Sequence, residues 1–384
     1  MRISVPAAAL ALGGSLALGA FVAPAAHATP TGGQCQSFGV GIRYGEFTEG
    51  DDTHAADRTA VNGAAAIGGN ADFGGGIRIA GDDEFPPTRQ IDALPGGNAL
   101  VVAGNINVGT RDTRVSYGNV VHGGSKLGSG LLETSHGKVV QGAPPVDFAA
   151  EFANLRAVST ELAARKPTAK SIWTTYSGDL KMLTLNGTDK SLNIFTMTAE
   201  QLKTAGAIAI NAPEGSANVV NVLGGSSELA AVSISVRPMK GTLWNFPTAT
   251  KVVKNSQLGW QGSVLAPNAA VDLGKGGIYG SVIAKSLTVG GGKIYNTPFT
   301  ACIPAAATLP TGTPTGTPTG TPTKTPTPKQ STTPPLATGT TTGGGDLALT
   351  GANGVIPLAI GGVAVLGVGG AIVVATRRRT AKKA

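Results

Sequence analysis

The sequence predicts an all-β fold, a right-handed parallel β-helix flanked by one long α-helix. Three observations point there. Short motifs recur at a near-constant interval: Gly262-Ser263-Val264-Leu265-Ala266 returns as Gly280-Ser281-Val282-Ile283-Ala284. That interval is about 18 residues, three faces of six, the spacing of a chain that coils and stacks on itself. Ile67-Gly68-Gly69-Asn70-Ala71-Asp72-Phe73 returns in pattern as Val102-Ala103-Gly104-Asn105-Ile106-Asn107-Val108, about 35 residues on and close to twice that interval. Second, the chain holds 57 glycines and only 14% charged residues, and its short apolar runs are broken by Gly and Asn, as strands are by tight turns. Third, one long stretch after Pro145 carries helical spacing. An antiparallel sandwich of the same short strands is the competing architecture.

Taken in order, the chain opens with Met1-Arg2, an apolar run from Val5 to Val22 and a small-X-small site at Ala26-His27-Ala28. Residues 1–28 therefore read as a secretory signal peptide cut between Ala28 and Thr29. The folded region is expected over 29–307. Cys35 and Cys302 sit just inside its two ends, and in an exported chain such a pair reads as a disulfide. Asn70 and Asn105 fall at equivalent places in the repeat, where a corner ladder is expected, since Gly and Asn tolerate the backbone of tight corners. Pro144-Pro145 precede Asp147, a good N-cap, and Phe148, Phe152, Leu155 and Leu162 share one helical face before the stop near Lys166-Pro167. Thr198-Ala199-Glu200-Gln201 is a capping box that starts a second, short helix. Strands resume at 207–210, 218–223 and 232–236.

Residues 308–346 change character. Thr311-Gly312-Thr313-Pro314 repeats with a four-residue period and then decays into Thr, Pro and Lys. There is almost nothing apolar to bury, so an extended stalk is expected there. Residues 347–384 hold Leu347-Ala348-Leu349-Thr350-Gly351, an apolar run from about Val355 to Ala375, and the basic cluster Arg377-Arg378-Arg379 with Lys382 and Lys383. The run is about 20 residues, enough to cross a bilayer core as a helix with the basic cluster held on the cytoplasmic side. The formal net charge of +8 contains Arg2, Arg377, Arg378, Arg379, Lys382 and Lys383, so removal of both terminal segments leaves 8 − 6 = +2. The basic balance thus belongs to targeting and gives no support to nucleic-acid binding.

The tail resembles the cell-wall sorting signal of Gram-positive surface proteins, in the Leu-Ala-X-Thr-Gly form used by class E sortases of actinomycetes. The resemblance implies that a sortase cuts between Thr350 and Gly351 and joins Thr350 to a peptidoglycan precursor. The membrane is then touched only through the C-terminal helix, before sorting. Leu243-Trp244-Asn245-Phe246-Pro247, Gln261 to Ala269, Gly280 to Leu287 and Ile294-Tyr295-Asn296-Thr297-Pro298-Phe299 together resemble the choice-of-anchor A domain of bacterial surface proteins. That resemblance covers most of Cys35–Cys302. It implies an adhesive domain with β-helix character, and it carries no catalytic residues with it.

No catalytic constellation stands out. His54, His122 and His136 show no metal-ligand spacing, and each is expected on the surface or in a turn. No Gly-X-Ser-X-Gly elbow occurs, and a disulfide would silence both cysteines. Two acidic groups, Glu49, Asp51, Asp52 and Asp57, then Asp82, Asp83 and Glu84, lie in loop-like stretches and are the candidates for a carbohydrate-cleaving or Ca²⁺-binding site. No Asp-X-Asp-X-Asp-Gly spacing supports calcium. Trp173, Trp244 and Trp260 are expected in packing. No cofactor or metal is expected. The reading is a secreted, wall-anchored, non-enzymatic surface protein whose β-helix binds an unknown surface or glycan ligand. The face along Ser263–Lys285 is the expected contact, with Tyr279 and Tyr295 as aromatic contacts. A polysaccharide-active enzyme is the first alternative. An ice-binding-like protein is the second, though it calls for a flat Thr-rich face and no Thr repeats at the coil period.

Overall fold

A computed structural model describes residues 34–57, 59–81 and 88–305. The expected signal peptide with its Ala28–Thr29 cut, the expected stalk, the Leu347–Gly351 motif, the apolar tail and the Asp82-Asp83-Glu84 group lie outside the described residues. No helix among the described residues is long and apolar enough to cross a membrane.

The described chain is a parallel β-helix. Almost every strand pair is parallel, and side chains alternate inward and outward along each strand. The exception is the antiparallel hairpin Lys170–Ser177 with Leu180–Asn186 at one end. The short repeat read from sequence is one coil on the next: Val264, Leu265 and Ala266 pair in register with Val282, Ile283 and Ala284. The longer repeat corrects the expectation. Ala66 and Ile67 pair directly with Val101 and Val102, and Ala71 with Ile106, so the interval of 35 is one coil and not two. The extra length is an insertion containing the short helix Thr88–Asp92.

The coils are not stacked in chain order. Strand Glu46–Thr48 pairs on one side with Ala65–Ile67 and on the other with Val282–Val289. The chain therefore starts in the middle of the stack and coils outward to Val139–Gln141. The long helix Phe148–Ala164 then carries it back, and it coils inward again until its last coil meets its first. Cys35 and Cys302 close the circuit with the expected disulfide, beside an antiparallel bridge between Cys35 and Pro304.

Each coil has three faces. The first runs through Asn98–Val102, Ala65–Ile67, Glu46–Thr48 and the leading halves of Val282–Val289 and Ser263–Asp272 to Thr242–Asn245 and Ala217–Leu223. The second runs through Ile106–Asn107, Ala71–Asp72, Asp52–His54 and the trailing halves of the same two long strands to Lys251–Lys254 and Ser226–Leu229. The third holds Thr113–Val115, Ile77–Ile79, Thr59–Val61, Lys293–Tyr295, Ile278–Tyr279 and Trp260–Gln261.

Burial separates the faces. On the first, Glu46–Thr48, Ala65–Ile67, Asn98–Val102 and Thr242–Asn245 are buried at every residue, on the outside as well as the inside. The long helix is what covers the outside. It is about 25 Å long at 1.5 Å per residue, enough to cross about five strands spaced ~4.8 Å apart. Phe152 stacks on Phe47 at 5.3 Å, and Phe148 on the same ring at 5.5 Å. Farther along, Asn245 donates to the Ser159 carbonyl at 2.8 Å and Asn221 to the Leu162 carbonyl at 2.9 Å. Asp147 caps the helix as read from sequence, accepting from the Ala150 N–H at 3.0 Å. The capping box at Thr198 is present too, and Ala199–Thr204 is the short helix it starts.

Candidate binding face

With the first face under the helix, the second is the broad regular surface left open. Its strands alternate buried and open residues, as in Asp52–His54, Ala71–Asp72 and Ile106–Asn107. Strand register lines up one outward row: Asn107, Asp72, Thr53, Thr288, Asp272, Val253 and Glu228. A second row sits at the corner beside it, with Asn105, Asn70 and Asp51 continuing into Ser286, Ala270, Lys251 and Ser226. Most of these side chains are polar, Val253 and Ala270 excepted, and carboxylates outnumber ammonium groups. Thr53 and Thr288 sit side by side at the centre. Sequence reading missed that pair because the two lie on the first and last coils.

The corner row is held by a ladder. Asn70 N–H donates to Asp51 Oδ1 at 2.7 Å, Asn105 N–H to Asn70 Oδ1 at 2.9 Å, and Ser125 N–H to Asn105 Oδ1 at 2.7 Å. Each side chain caps the backbone of the next coil, so the row is fixed and evenly spaced. Glycine must precede each rung, because a Cβ on Gly69 would lie 2.4 Å from Asp51 Oδ1 and one on Gly104 2.6 Å from Asn70 Oδ1.

The face expected along Ser263–Lys285 divides in two. Residues 263–267 are buried, with Arg156 of the long helix bonded to Asn268 at 2.9 Å, and only the trailing halves from Ala270 and Lys285 onward reach the open face. Tyr279 and Tyr295 lie on the third face, not beneath the long helix. They are half-buried and stacked on each other at 4.2 Å and 5°. Their ring faces are spent on one another, and the shared contact of their hydroxyls raises the Tyr279 phenol above its ordinary range. Trp244 and Trp260 are buried in an edge-to-face pair at 5.6 Å, and Trp173 is partly buried. A cleft of about 470 Å³ on the third face is lined by Arg78, Arg111, Arg114 and Lys293, beside Gly81 where the described chain is interrupted.

Of the first acidic group, Asp51 and Asp52 border a depression of about 290 Å³ on the second face, beside Asp72, and the other two lie apart. Glu49 pairs with Arg156, Asp51 belongs to the ladder, and Asp57 pairs with Arg111 at 3.3 Å. Asp52 points inward. So does His54, which corrects its expected surface position; His122 is also buried, its Nδ1 2.9 Å from the Gly124 carbonyl, and His136 is exposed. Inside the coil, His54 Nε2 lies 3.2 Å from Glu46 Oε2 and 3.5 Å from Asp52 Oδ1, and Nδ1 lies 3.0 Å from Thr59 Oγ1. Burial pushes the Glu46 carboxyl up to about 8. Burial, then the neighbouring Glu46, raises Asp52 well above its usual range, against weaker pulls from His54 and the Thr53 N–H. Burial lowers His54, with Asp52 opposing. The one legible sign was the alternation: residues 52 and 54 of a strand point the same way.

The fold is thus a helix-braced parallel β-helix with one face left bare and polar. Residues 37–296 match the family model described as "Putative Ice-binding-like adhesive domain", and the chain belongs to that family. No curated protein matches it. Among solved structures, an ice-binding protein from an Antarctic biological consortium is similar at 13% identity, covering 51% of this chain and 86% of that one with a TM-score of 0.30. An ice-binding protein from the Antarctic ascomycete Antarctomyces psychrotrophicus is 18% identical over 50% of this chain and 91% of that one, with a TM-score of 0.22. The competence-associated pilin ComZ from Thermus thermophilus is 10% identical over 66% and 70%, with a TM-score of 0.26. Likenesses this partial assign no function.

Proposed function

We propose that the chain is a wall-anchored surface protein of a Gram-positive bacterium whose β-helix acts as an adhesin, by binding and without turnover. The observation that carries this reading is the bare second face, a fixed lattice of Thr, Asn, Ser and Asp side chains at strand spacing. Hydroxyl, amide and carboxylate groups in rows suit a hydroxyl-rich partner such as a surface glycan. Contacts of that kind are individually weak and gain strength when many anchored copies engage at once. The adhesive family supports the reading. The resemblance to choice-of-anchor A domains and the sorting signal supply the address: export with cleavage after Ala28, then sortase transfer of Thr350 to a peptidoglycan precursor. Cells carrying Thr350→Ala should lose the wall-linked form to the membrane or the medium. Deleting residues 34–305 while keeping stalk and anchor should reduce attachment to glycan-coated surfaces. Unchanged attachment, with hydrolysis of a wall or matrix polysaccharide by the intact chain, would favour the enzyme instead.

Ice binding is the second reading, favoured by the Thr53–Thr288 pair at the centre of the open face. Against it, Asp72 and Asp272 flank that pair in the same row. Thermal hysteresis of the purified chain separates the two.

A further inference from the structure

We propose that Glu46, Asp52 and His54 form a buried structural site for a late first-row divalent cation, with Zn²⁺ the best match. One donor atom from each residue lies within 4.8 Å of the others, and all three side chains are closed off from solvent. The distances from His54 Nε2, 3.2 Å to Glu46 Oε2 and 3.5 Å to Asp52 Oδ1, bracket the edge of a tetrahedron. Bonds of ~2.0–2.1 Å from zinc to nitrogen and oxygen give an edge of about 3.3 Å. The second observation is independent of the cluster's composition. Both Asp52 oxygens and Glu46 Oε1 are buried with no hydrogen-bond partner. A proton shared between the two carboxyls would engage two of these three oxygens and leave the third without a partner. A divalent ion would engage all three side chains, cancel two carboxylate charges and remove the cost of burying them.

The surroundings fit an ion. Thr59 Oγ1 beside Nδ1 is the kind of outer partner that fixes a ligating imidazole, with Nδ1–H donating and the Nε2 lone pair facing the carboxylates. In register with Glu46 and Asp52, the next coil carries only Ala65 and Ala71, which leave space. On that same coil Phe73 stands edge-on to His54 at 5.3 Å, and the far side is apolar, with Val282, Leu287 and Val289 in register. No water position is needed, since the spare carboxylate oxygens can fill the fourth place. Such a closed site is structural. It would pin the first face to the second within the first described coil, beside the last.

The test is the metal content of the full-length chain, expressed with zinc in the medium, purified and exchanged into chelator. About one zinc per chain, lost only on unfolding, is the expected result. Refolding with Co²⁺ should give the visible absorption of a tetrahedral site, and Glu46→Gln should weaken or shift that band. Should Glu46→Gln fail to fold, wild type alone decides. Wild-type chain that is folded yet metal-free, unfolds at the same temperature with zinc or chelator, and gives no cobalt band would overturn the proposal in favour of a proton-sharing cluster.

Discussion

Asn105 accepts from one coil and donates to another. Its side chain takes the Ser125 N–H, and its own N–H is taken by Asn70. Asn105→Ala orphans one exposed-edge donor and should cost about 1 kcal/mol, the net worth of one such bond. Gly104→Ala should cost more, roughly 1–3 kcal/mol, because the new methyl meets Asn70 Oδ1 and the Gly69 carbonyl, at 2.6 and 2.8 Å, and overpacks the corner. Chemical denaturation of the two variants gives the ranking directly, and a larger loss for Asn105→Ala would break this account of the corner. The equivalence of Asn70 and Asn105 was legible because both follow Gly in a repeated pattern. Asp51 as the first rung was not, since Gly50-Asp51 offers only a fragment of that pattern. Lys254 was not legible either, because nothing in Lys251-Val252-Val253-Lys254 marks which lysine turns inward. The residue is 1% exposed, its ammonium bonds the Ser256 and Leu258 carbonyls, and burial lowers its pKa to about 8.

The long helix is the element that decides which surface is free. Its apolar stripe was readable at helical spacing, and Phe148, Phe152, Leu155 and Leu162 are all buried. Which face it would cover was not readable, because its partners come from distant coils. Phe47 lies about 100 residues before it and Asn221 and Asn245 follow by 59 and 86. Phe152→Ala removes the ring that stacks on Phe47 and should cost about 3–5 kcal/mol. The loss should expose the first face, so dye binding to apolar surface should rise with it. A variant that keeps wild-type stability would show that the helix is not a brace. The apparent double interval of 35 misled for a related reason. A spacing counts residues, and an inserted helix adds residues without adding a coil.

At the scale of the whole fold, the last described coil meets the first. The first coil and the last are neighbours, and the disulfide joins segments 267 residues apart in sequence but 5.1 Å apart at their Cα atoms. Closing so long a loop in the unfolded chain nominally contributes ~5 kcal/mol, often less in practice. Reduction should therefore lower the unfolding temperature markedly, and a chain indifferent to reductant would contradict a closed circuit of coils. That circuit was invisible to a search for repeats, which finds neighbours in sequence. It is also what sets Thr53 beside Thr288 at the centre of the open face. The most direct test of that face is attachment of cells displaying the full chain with Thr53→Lys and Thr288→Lys together. Both positions point outward, so folding should be spared while two long side chains break the flat row. Attachment should fall roughly tenfold or more, because a modest loss per copy is multiplied across anchored copies, and Tyr295→Ser on the third face should leave it unchanged. Full attachment by the double variant, with loss in Tyr295→Ser, would contradict the account.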